Sequence, residues 1–496
     1  MDDAIRALRV TAVNAAPVRY GAYVLYWMIA ARRTTWSFAL DHALARAKEL
    51  DRPLLVLEPL RAGYPWASDR LHAFVMQGMA DNARAFAAAG ITYHPYVERA
   101  PGKDAGLLAA LAKRACLVVT DEQPGFFLPR MVAAAAAKLG VRVERVDATG
   151  LLPLRATDKA YPTAAAFRRN FQKVAGPHLL ALPRAKPLAG KHAAAEIPGS
   201  VLRRWPGALP KLADLPIDHG VAPVAYRGGA IAAREVADDF FAERFARYAD
   251  GRNHPDDDAA SGLSPYLHFG HASAHEIIAR VWKTCGWDPS RLAVKANGKR
   301  TDWWGLPAHA ESFLDELITW RELGHGFCFH RADYDRFESL PDWAQKTLAD
   351  HASDPRPELY TPAQLEAAAT DDELWNAAQR QLVRDGRIHN YLRMLWGKKI
   401  LQWSSSPRAA LAVLIELNNK YAVDGRDPNS YSGIFWTLGR FDRPWGPVRP
   451  IFGTIRYMSS DATKKKLDLD DYLRRYGASS ASATRSVSAG RSRIPA

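Results

Sequence analysis

Three tryptophans in residues 371–403 have a spacing that could support electron movement. Trp375, Trp396 and Trp403 lie 21 and 7 residues apart, and the leucines around them recur at helical intervals, which predicts one amphipathic helical stretch. Multiples of seven return side chains to nearly the same face of a helix. A step of seven residues rises on the order of 10 Å, a distance that an electron can cross between indole rings. The alternative is that all three are core residues, because tryptophan is highly buried on average.

A carboxylate and an indole lie close together in a second helical stretch, residues 311–322. Glu316 and Trp320 are four residues apart and are expected to share a face of the helix. A carboxylate can accept hydrogen bonds from the edge of a nucleobase, and an indole can form an apolar wall beside it. The pair therefore suits a base-binding pocket, although Glu316 alone would be read as a charge on a helix surface.

A loop at residues 261–265 enters a predicted helix. Serine hydroxyls and free backbone N–H groups at a helix start bind phosphate oxygens well. Ser261 and Ser264 are therefore candidate phosphate ligands, and the alternative is that Ser261 is an ordinary N-cap.

Longer runs of sequence resemble a known family. They include LWNAAQ, GRIHNYLRMLWGKKILQW, DGRDPN and FGTIRYM within residues 371–458, and upstream LSPYLHFG (263–270) and SLPDWAQKTL (339–348). These near-contiguous motifs are similar to class II cyclobutane pyrimidine dimer photolyases of the photolyase/cryptochrome family, over about residues 20–470. The resemblance implies a carbon–carbon lyase that repairs pyrimidine dimers in DNA. In such enzymes, photoexcited reduced FAD passes an electron to a dimer flipped out of the duplex.

The same resemblance implies roles for particular residues. Glu316, Met394 and Asn418 would act at the dimer and the flavin, with Asn418 facing flavin N5 unless it is only a helix C-cap. Trp396, Trp375 and Trp403 would carry electrons, with Trp396 nearest to the flavin. The cofactor-binding set would be Tyr248, Ser261, Gly262, Leu263, Ser264, Arg321, Arg393, Asn418, Asp424 and Asp427. The set for DNA and the lesion would be Trp320, Trp436, Asn390, Arg440, Arg443, Arg449 and Arg456.

Three details bear on these assignments. Arg393 is a permanent cation that is expected to pair with Asp424 or Asp427 near the flavin ring. Residues 324–329 read GHGFCF and depart from the Ala-Asp-Asn-Phe pattern of the family. Any single arginine of the DNA set could equally be a surface charge.

The composition agrees with a large nucleic-acid-binding protein. A chain of 496 residues is too long for one core, and its net charge of +14 favours a polyanionic partner such as DNA, although a basic protein without such a partner is the alternative. The sequence contains neither a run of 18 apolar residues nor a secretory signal, so a cytoplasmic protein without a membrane span is expected. Three scattered cysteines predict neither a disulfide framework nor a metal site. We expect a monomer.

The fold expected from these patterns is an N-terminal, doubly wound parallel-sheet (Rossmann-like) domain followed by an all-α FAD-binding domain. Apolar, β-rich runs at 23–28, 53–57, 91–97, 116–120 and 141–146 alternate with helical stretches at 36–50, 68–89, 104–114 and 129–139. The expected divisions are a flexible leader at 1–20, an α/β domain at 21–176, a proline-rich connector at 177–235, a helical catalytic domain at 236–476 and a disordered tail at 477–496.

A second chromophore of deazaflavin or folate type would bind the α/β domain, outside the carboxyl ends of its strands. The loop after Met28 lies in that region and carries Arg32 and Arg33, which are expected to be a solvated surface pair. No GxGxxG motif follows the first strand, so a standard dinucleotide site is not expected.

Two other functions stay open on the same fold. One is a blue-light receptor of the cryptochrome type, and the other is a photolyase specific for the 6-4 photoproduct. Glu316, Trp320, Met394 and Trp436 favour repair over signalling. None of the matched lesion positions is a histidine, which disfavours the 6-4 reading, and the histidines at 268, 325, 330 and 389 are expected to be structural.

Overall fold

The computed structural model describes residues 3–478, and its N-terminal half is built on a six-stranded sheet. The order across the sheet is β1-β6-β5-β2-β3-β4, and every neighbouring pair is parallel except β1 with β6. The chain moves from the central β2 first to one side and then to the other, which confirms the doubly wound sheet. The strands are β1 (Val10–Ala12), β2 (Tyr23–Trp27), β3 (Leu54–Leu60), β4 (Thr92–Val97), β5 (Ala115–Asp121) and β6 (Val143–Val146).

Both faces of this sheet are covered. Every residue of β2 is buried, which is why the strand reads as a continuous apolar run. Tyr23 and Leu25 belong to the core on one face, whereas Val24 and Tyr26 belong to the core on the other. The helices of this half are α1 (Asp3–Arg9), α2 (Phe38–Glu49), α3 (Asp69–Ala88), α4 (Leu107–Ala112) and α5 (Leu128–Ala136).

The expectation of a flexible leader over residues 1–20 is wrong for residues 3–12, which form α1 and β1. β1 extends the sheet as an antiparallel edge strand beside β6. Arg9, at the end of α1, is completely buried and donates hydrogen bonds to the carbonyl groups of Asp147, Gly150 and Leu151 at 3.2, 3.2 and 2.8 Å. The sequence of residues 3–12 has an ordinary composition and does not indicate that Arg9 has acceptors in residues 147–151.

The C-terminal half is helical around one large core. Two π-helical turns interrupt its helices, at Phe240–Arg244 and at Asp315–Trp320. Its first helices are α6 (Ala164–Val174), α7 (Gly176–Leu179), α8 (Gly199–Arg204), α9 (Ala230–Asp239), α10 (Tyr248–Gly251), α11 (Ser264–His268), α12 (Ala274–Thr284), α13 (Ala308–Leu314) and α14 (Arg321–His330). The remainder are α15 (Asp342–Asp350), α16 (Pro362–Glu366), α17 (Glu373–Asp385), α18 (Asn390–Trp403), α19 (Pro407–Tyr421), α20 (Pro428–Thr437), α21 (Ser460–Lys466) and α22 (Asp470–Tyr476).

The segment between the two halves is mostly irregular, as its prolines predict, and it lies against the α/β domain. Trp205, for example, is buried and donates a hydrogen bond to the carbonyl group of Lys103 at 2.8 Å. Of the tail expected at 477–496, residues 479–496 lie outside the described part of the chain. Within residues 3–478, no helix combines the length and the apolar character that a membrane span requires.

One side chain joins all three parts of the molecule. Arg70 of α3 is buried and donates to the carbonyl groups of Ala222 in the connector at 3.0 Å, Val383 of α17 at 2.6 Å and Tyr421 of α19 at 2.6 Å. Arginine satisfies carbonyl groups at helix C-termini well. The two halves are thereby held in a fixed relation around the cavities described next.

Candidate active site

A cavity of about 1000 Å³ lies within the helical half. The elements that line it come from α10, α11, the π-helical turn at Asp315–Trp320, α18 and the loop before α20. Ten residues that the sequence assigned to the cofactor, the lesion or DNA line it: Tyr248, Ser261, Leu263, Ser264, Glu316, Arg321, Asn390, Arg393, Asp424 and Asp427.

Two serines at the entry to α11 line this cavity, Ser261 in the preceding loop and Ser264 as the first residue of the helix. The Ser261 Oγ atom accepts a long hydrogen bond of 3.4 Å from the Leu263 backbone N–H, and Ser264 is exposed. Gly262 lies behind them with φ at +72°, a left-handed conformation that favours glycine. A Cβ atom there would meet nothing closer than 3.5 Å, so the backbone conformation rather than the available space requires glycine.

Glu316 forms an ion pair that the sequence did not reveal. Its Oε1 atom lies 2.5 Å from an Arg252 Nη1 atom, and both side chains line the cavity. Burial raises the pKa of Glu316, and the charge of Arg252 opposes that rise. The two residues are 64 positions apart in a chain rich in both types, so spacing alone gave no signal.

Glu316 and Trp320 lie on a π-helical turn, Asp315–Trp320, rather than on a regular α-helix. In this turn the Arg321 backbone N–H donates to the Glu316 carbonyl oxygen, which is the hydrogen bond of a π-helix. Both of these line the cavity, and Trp320 does not. Trp320 is half-buried at the edge of the helical core.

Two carboxylates, Asp424 and Asp427, line the cavity from the loop before α20. Asp427 hydrogen-bonds through Oδ2 to His268 Nδ1 at 3.0 Å. Burial by itself would raise the pKa of Asp427, but the His268 hydrogen bond and neighbouring positive charges, including Arg321, hold it well below its usual range. Within residues 3–478, Arg393 forms no ion pair with Asp424 or Asp427, contrary to expectation, although all three line the cavity.

Asn418 lies one layer behind the cavity. It is buried in the last turn of α19, and its Nδ2 atom donates to Ser430 Oγ at 2.8 Å and to Asn419 Oδ1 at 3.1 Å. Ser430 itself lines the cavity. Met394, on α18, is half-buried and does not line it.

The three tryptophans lie on two helices rather than one. Gly386, with φ at +65°, ends α17. The 21 residues between Trp375 and Trp396 therefore cross a turn, and this spacing does not determine how the two side chains are oriented. Packing of α17 on α18 nevertheless brings the rings together. Trp375 and Trp403 have ring centroids 5.4 Å apart, and the Trp375 indole N–H donates to the Trp396 carbonyl oxygen at 3.0 Å. All three are buried. Trp403 also contacts the half-buried Tyr360, at 5.1 Å between ring centroids.

Sequence comparison decides the family. No family model matches the chain. The chain is 33% identical to the deoxyribodipyrimidine photo-lyase of Methanothermobacter thermautotrophicus over 473 residues, covering 95% of this chain and 98% of that protein. It is 34% identical to the deoxyribodipyrimidine photo-lyase of Oryza sativa subsp. japonica over 490 residues, covering 94% and 89%. The chain belongs to the deoxyribodipyrimidine photo-lyase family.

Solved structures agree on the fold of this photo-lyase family member. A class III photolyase from Agrobacterium tumefaciens superposes with a TM-score of 0.68 at 17% identity, covering 93% of this chain and 87% of that one. A cryptochrome from Synechocystis sp. PCC6803 gives a TM-score of 0.69 at 14% identity, covering 92% and 89%. Similarity at these identities shows the two-domain fold alone.

A cluster of aromatic rings and cations lies at the end of α20 in this photo-lyase family member. Arg443 and Arg456 place their guanidinium groups 4.3 and 4.8 Å from the ring centroid of Trp445, and Arg449 lies 4.8 Å from that of Tyr457. These three arginines are exposed. Trp436 is half-buried beside them, with the Lys398 Nζ atom 4.7 Å from its ring centroid.

Arg440 differs from the other arginines assigned to DNA. It is buried, donates to the Ser339 carbonyl oxygen at 2.6 Å and lies 4.6 Å from the Phe327 ring centroid. Burial lowers its pKa to about 10. Arg440 therefore stabilises the packing of α14 and has no side chain free for a phosphate.

The motif at 324–326, which departs from the family pattern, has a packing explanation. A Cβ atom at Gly324 would lie 2.9 Å from the Asn429 Cα atom, so glycine lets α14 approach the start of α20. His325 is buried and its Nδ1 atom bonds the Arg321 carbonyl oxygen at 2.9 Å. Burial lowers the pKa of His325 to about 4, which keeps the ring neutral at physiological pH.

A second cavity of about 1040 Å³ lies outside the carboxyl ends of β2 and β3, where the α/β domain meets the helical domain. Arg32 lines it and forms a 2.9 Å ion pair with Glu58. Both Arg32 and Arg33 are buried, so the expectation of a solvated surface pair is wrong. Arg33 bonds the carbonyl groups of Trp36 and Gly270, so its burial depends partly on a contact with the helical half that charge pattern alone could not place. His268 lines this cavity as well as the first one.

Proposed function

We propose that this protein repairs cyclobutane pyrimidine dimers in DNA in a light-driven reaction with reduced FAD bound in the first cavity. The observation that carries the proposal is the cavity itself. It brings two serines, a half-buried Glu316–Arg252 ion pair and two further arginines into one lining, in a chain of the photo-lyase family. The members of this set fit a large ligand that has phosphates at one end and a polar ring at the other.

The lining supports FAD in particular. Ser261 and Ser264 offer hydroxyl groups to phosphate oxygens, and Arg321 and Arg393 offer positive charge. His389, which also lines the cavity, has a buried Nδ1 atom without a hydrogen-bond partner among the described residues. A bound ligand would satisfy that atom, since buried polar groups are nearly always hydrogen-bonded. When bound, photoexcited reduced FAD would supply an electron to the dimer and regain it after the ring has split.

The remaining roles belong to the protein. Glu316, with its raised pKa and its Arg252 partner, is suited to donate or share a proton in a hydrogen bond to a pyrimidine carbonyl group. That bond would stabilise negative charge as the dimer accepts the electron. Asn418 would hold Ser430 against the flavin as a neutral group, and Met394 would form a soft wall at the lesion. Trp396, Trp375 and Trp403 would return the flavin to its reduced state.

DNA would bind on the exposed cluster at the end of α20. Arg443, Arg449 and Arg456 would contact phosphates, and Asn390 at the cavity mouth would meet the lesion strand. Trp436 and Trp320, both half-buried at the edge of the same core, would flank the flipped dimer. Arg440 is left out of this surface because its side chain is buried. We propose that the protein acts as a monomer in the cytoplasm.

The second cavity would hold the second chromophore. Tyr64, Phe126 and Phe127 line it, and Phe126 and Phe127 have ring centroids 4.9 Å apart. Aromatic walls around an opening of this size suit a planar ring system, which both deazaflavins and folates contain.

Removal of one proposed wall tests this function against the photoreceptor alternative. Trp436→Ala should reduce affinity for dimer-containing DNA by about 5- to 150-fold, the equivalent of roughly 1–3 kcal/mol of stacking, and leave undamaged duplex unaffected. Trp282→Ala, at a half-buried indole stacked on Trp287 at 4.7 Å, is the matched control and should keep full discrimination.

Flavin content, thermal midpoint and affinity for both DNAs should be measured on the same preparations. A folded, flavin-replete Trp436→Ala variant that discriminates as well as the parent would remove Trp436 from the site. A parent protein that neither prefers damaged DNA nor repairs it in light would favour the cryptochrome-type receptor.

A further inference from the structure

Three exposed cations lie on the loop that joins α12 to α13. They are Lys295, Lys299 and Arg300, and we call this segment, residues 292–302, the basic loop. Within residues 3–478, none of the three forms an ion pair with a carboxylate. Their charge is thus available to an external partner.

The basic loop is held firmly against α6. The Gly298 N–H donates to Gln172 Oε1 at 2.7 Å, the Gln172 amide donates to the Lys299 carbonyl oxygen at 3.1 Å, and Arg168 donates to the Gly298 carbonyl oxygen at 3.0 Å. Gly298 has φ at +77°, and a Cβ atom there would lie 2.9 Å from the Ala165 carbonyl oxygen. A loop fixed in this way loses little backbone freedom when its side chains bind a ligand.

The same anchor ties the loop to the wall of the first cavity. Besides Gly298, Arg168 binds both carboxylate oxygens of Asp315, at 2.8 and 3.0 Å. Asp315 directly precedes Glu316 in the π-helical turn, and Glu316 lines the cavity. Arg300 is near enough for its charge to lower the pKa of Glu316, against the rise that burial causes.

We infer that Lys295, Lys299 and Arg300 form a second phosphate-binding surface, on the α6–α13 side of the cavity, that holds the backbone of the damaged DNA while the lesion lies in the pocket. The choice of DNA as the partner rests on the proposed function. This surface is separate from the arginines beyond α20, because it is built on different elements. Unpaired, exposed cations beside a nucleotide-binding pocket complement the charge of a phosphate backbone, and phosphate contacts position DNA without reading its sequence.

The test removes the three charges together, as Lys295→Gln, Lys299→Gln and Arg300→Gln in one protein. A matched control carries Lys186→Gln, Lys191→Gln and Lys211→Gln, which removes the same net charge from three exposed sites on the connector. Binding of dimer-containing and undamaged duplex is measured from 50 to 300 mM salt, on FAD-loaded protein.

If each of the three residues neutralises one phosphate, the slope of log affinity against log salt should become shallower by about 0.9 for each residue, up to about 2.7 in all. Binding of damaged and undamaged DNA should weaken by the same factor. The control should change the slope by less than the value for one contact.

An unchanged slope in the basic-loop variant overturns the inference, and so does an equal loss in the control, which would mean that net charge alone matters. These outcomes can be separated from failure of the proposed function. A parent protein that binds DNA but repairs no dimer contradicts repair and leaves the slope comparison intact. A parent protein that binds no DNA contradicts both.

Discussion

Lys398 is a buried cation whose removal should change the stability of the protein in a way that depends on pH. The side chain is completely inaccessible, and its Nζ atom donates to the Thr437 carbonyl oxygen at 2.7 Å and lies over the Trp436 ring. Among the described residues it has no carboxylate within ion-pair distance. Burial lowers the pKa of Lys398 from the ordinary 10.5 to about 7.

The magnitude follows from that difference. The two values differ by about 3.5, and each pH unit corresponds to 1.36 kcal/mol, so burial of the charged lysine costs about 5 kcal/mol below pH 7. The unfolded chain keeps its proton up to pH 10.5, whereas the folded protein releases it near pH 7. Stability therefore rises with pH across this window, by about 2 kcal/mol between pH 7 and 9.

Lys398→Met should abolish this rise. At pH 6 the variant should be more stable than the parent, because the cost of burying the charged lysine is removed. The gain should be smaller than that cost by about 1–3 kcal/mol, because the Thr437 carbonyl group loses its donor. The gain should also shrink as pH increases. Urea unfolding at pH 6, 7.5 and 9 measures the difference in free energy of unfolding between parent and variant. The contributions of the other titrating groups cancel in this difference. Lys399→Met is the control, because Lys399 has a partner in Asp372 at 3.2 Å. A Lys398→Met protein whose free energy of unfolding follows that of the parent at all three pH values would refute the reasoning.

Three further outcomes are expected. Trp396→Phe should nearly stop photoreduction of oxidised flavin with a thiol present, and repair by chemically reduced enzyme should survive; photoreduction at the parent rate would contradict the electron route. Gly324→Ala should cost about 1–3 kcal/mol and lower flavin content, because the new Cβ would meet the backbone of α20 at 2.9 Å, whereas Gly326→Ala, with no atom within 4 Å, should fold as well as the parent in a thermal melt. His325→Gln should reduce the loss of stability as pH falls from 6.5 to about 4, because over this range the unfolded chain binds a proton at His325 while the buried ring of the folded parent stays neutral; identical acid melts of both proteins would oppose this.

The sheet could be predicted because its strands are apolar on both faces. The run at 23–28 matched β2, and the run at 116–120 matched β5, each within one residue at either end. Ligands of such sheets bind outside the carboxyl ends of the strands, and the second cavity lies there. The segment ahead of them could not be predicted, because the order of residues 3–12 depends on Arg9 and on acceptors more than a hundred positions away.

The residues of the candidate site could be assigned where they lie in contiguous motifs. They could not be assigned where their position depends on a departure from regular α-helical geometry. Ten assigned residues line one cavity. Glu316 and Arg321 line the cavity whereas Trp320 does not, and all three belong to or follow a π-helical turn, which no propensity marks. The spacing of Trp375 and Trp396 wrongly indicated a single helix. Here the sequence did carry a signal, because Gly386 between them is an ordinary sign of a helix end.

Arg70 has a consequence for how the molecule unfolds. Its guanidinium group is the shared donor for carbonyl groups in the connector and at the ends of α17 and α19, while its backbone belongs to α3. Separation of α3 from α17 and α19 would break the bonds to Val383 and Tyr421 together, and a hydrogen bond from a charged donor contributes about 1.5–3 kcal/mol. The two domains, which could otherwise melt one after the other, are therefore coupled, and the chain should behave in calorimetry as one cooperative unit.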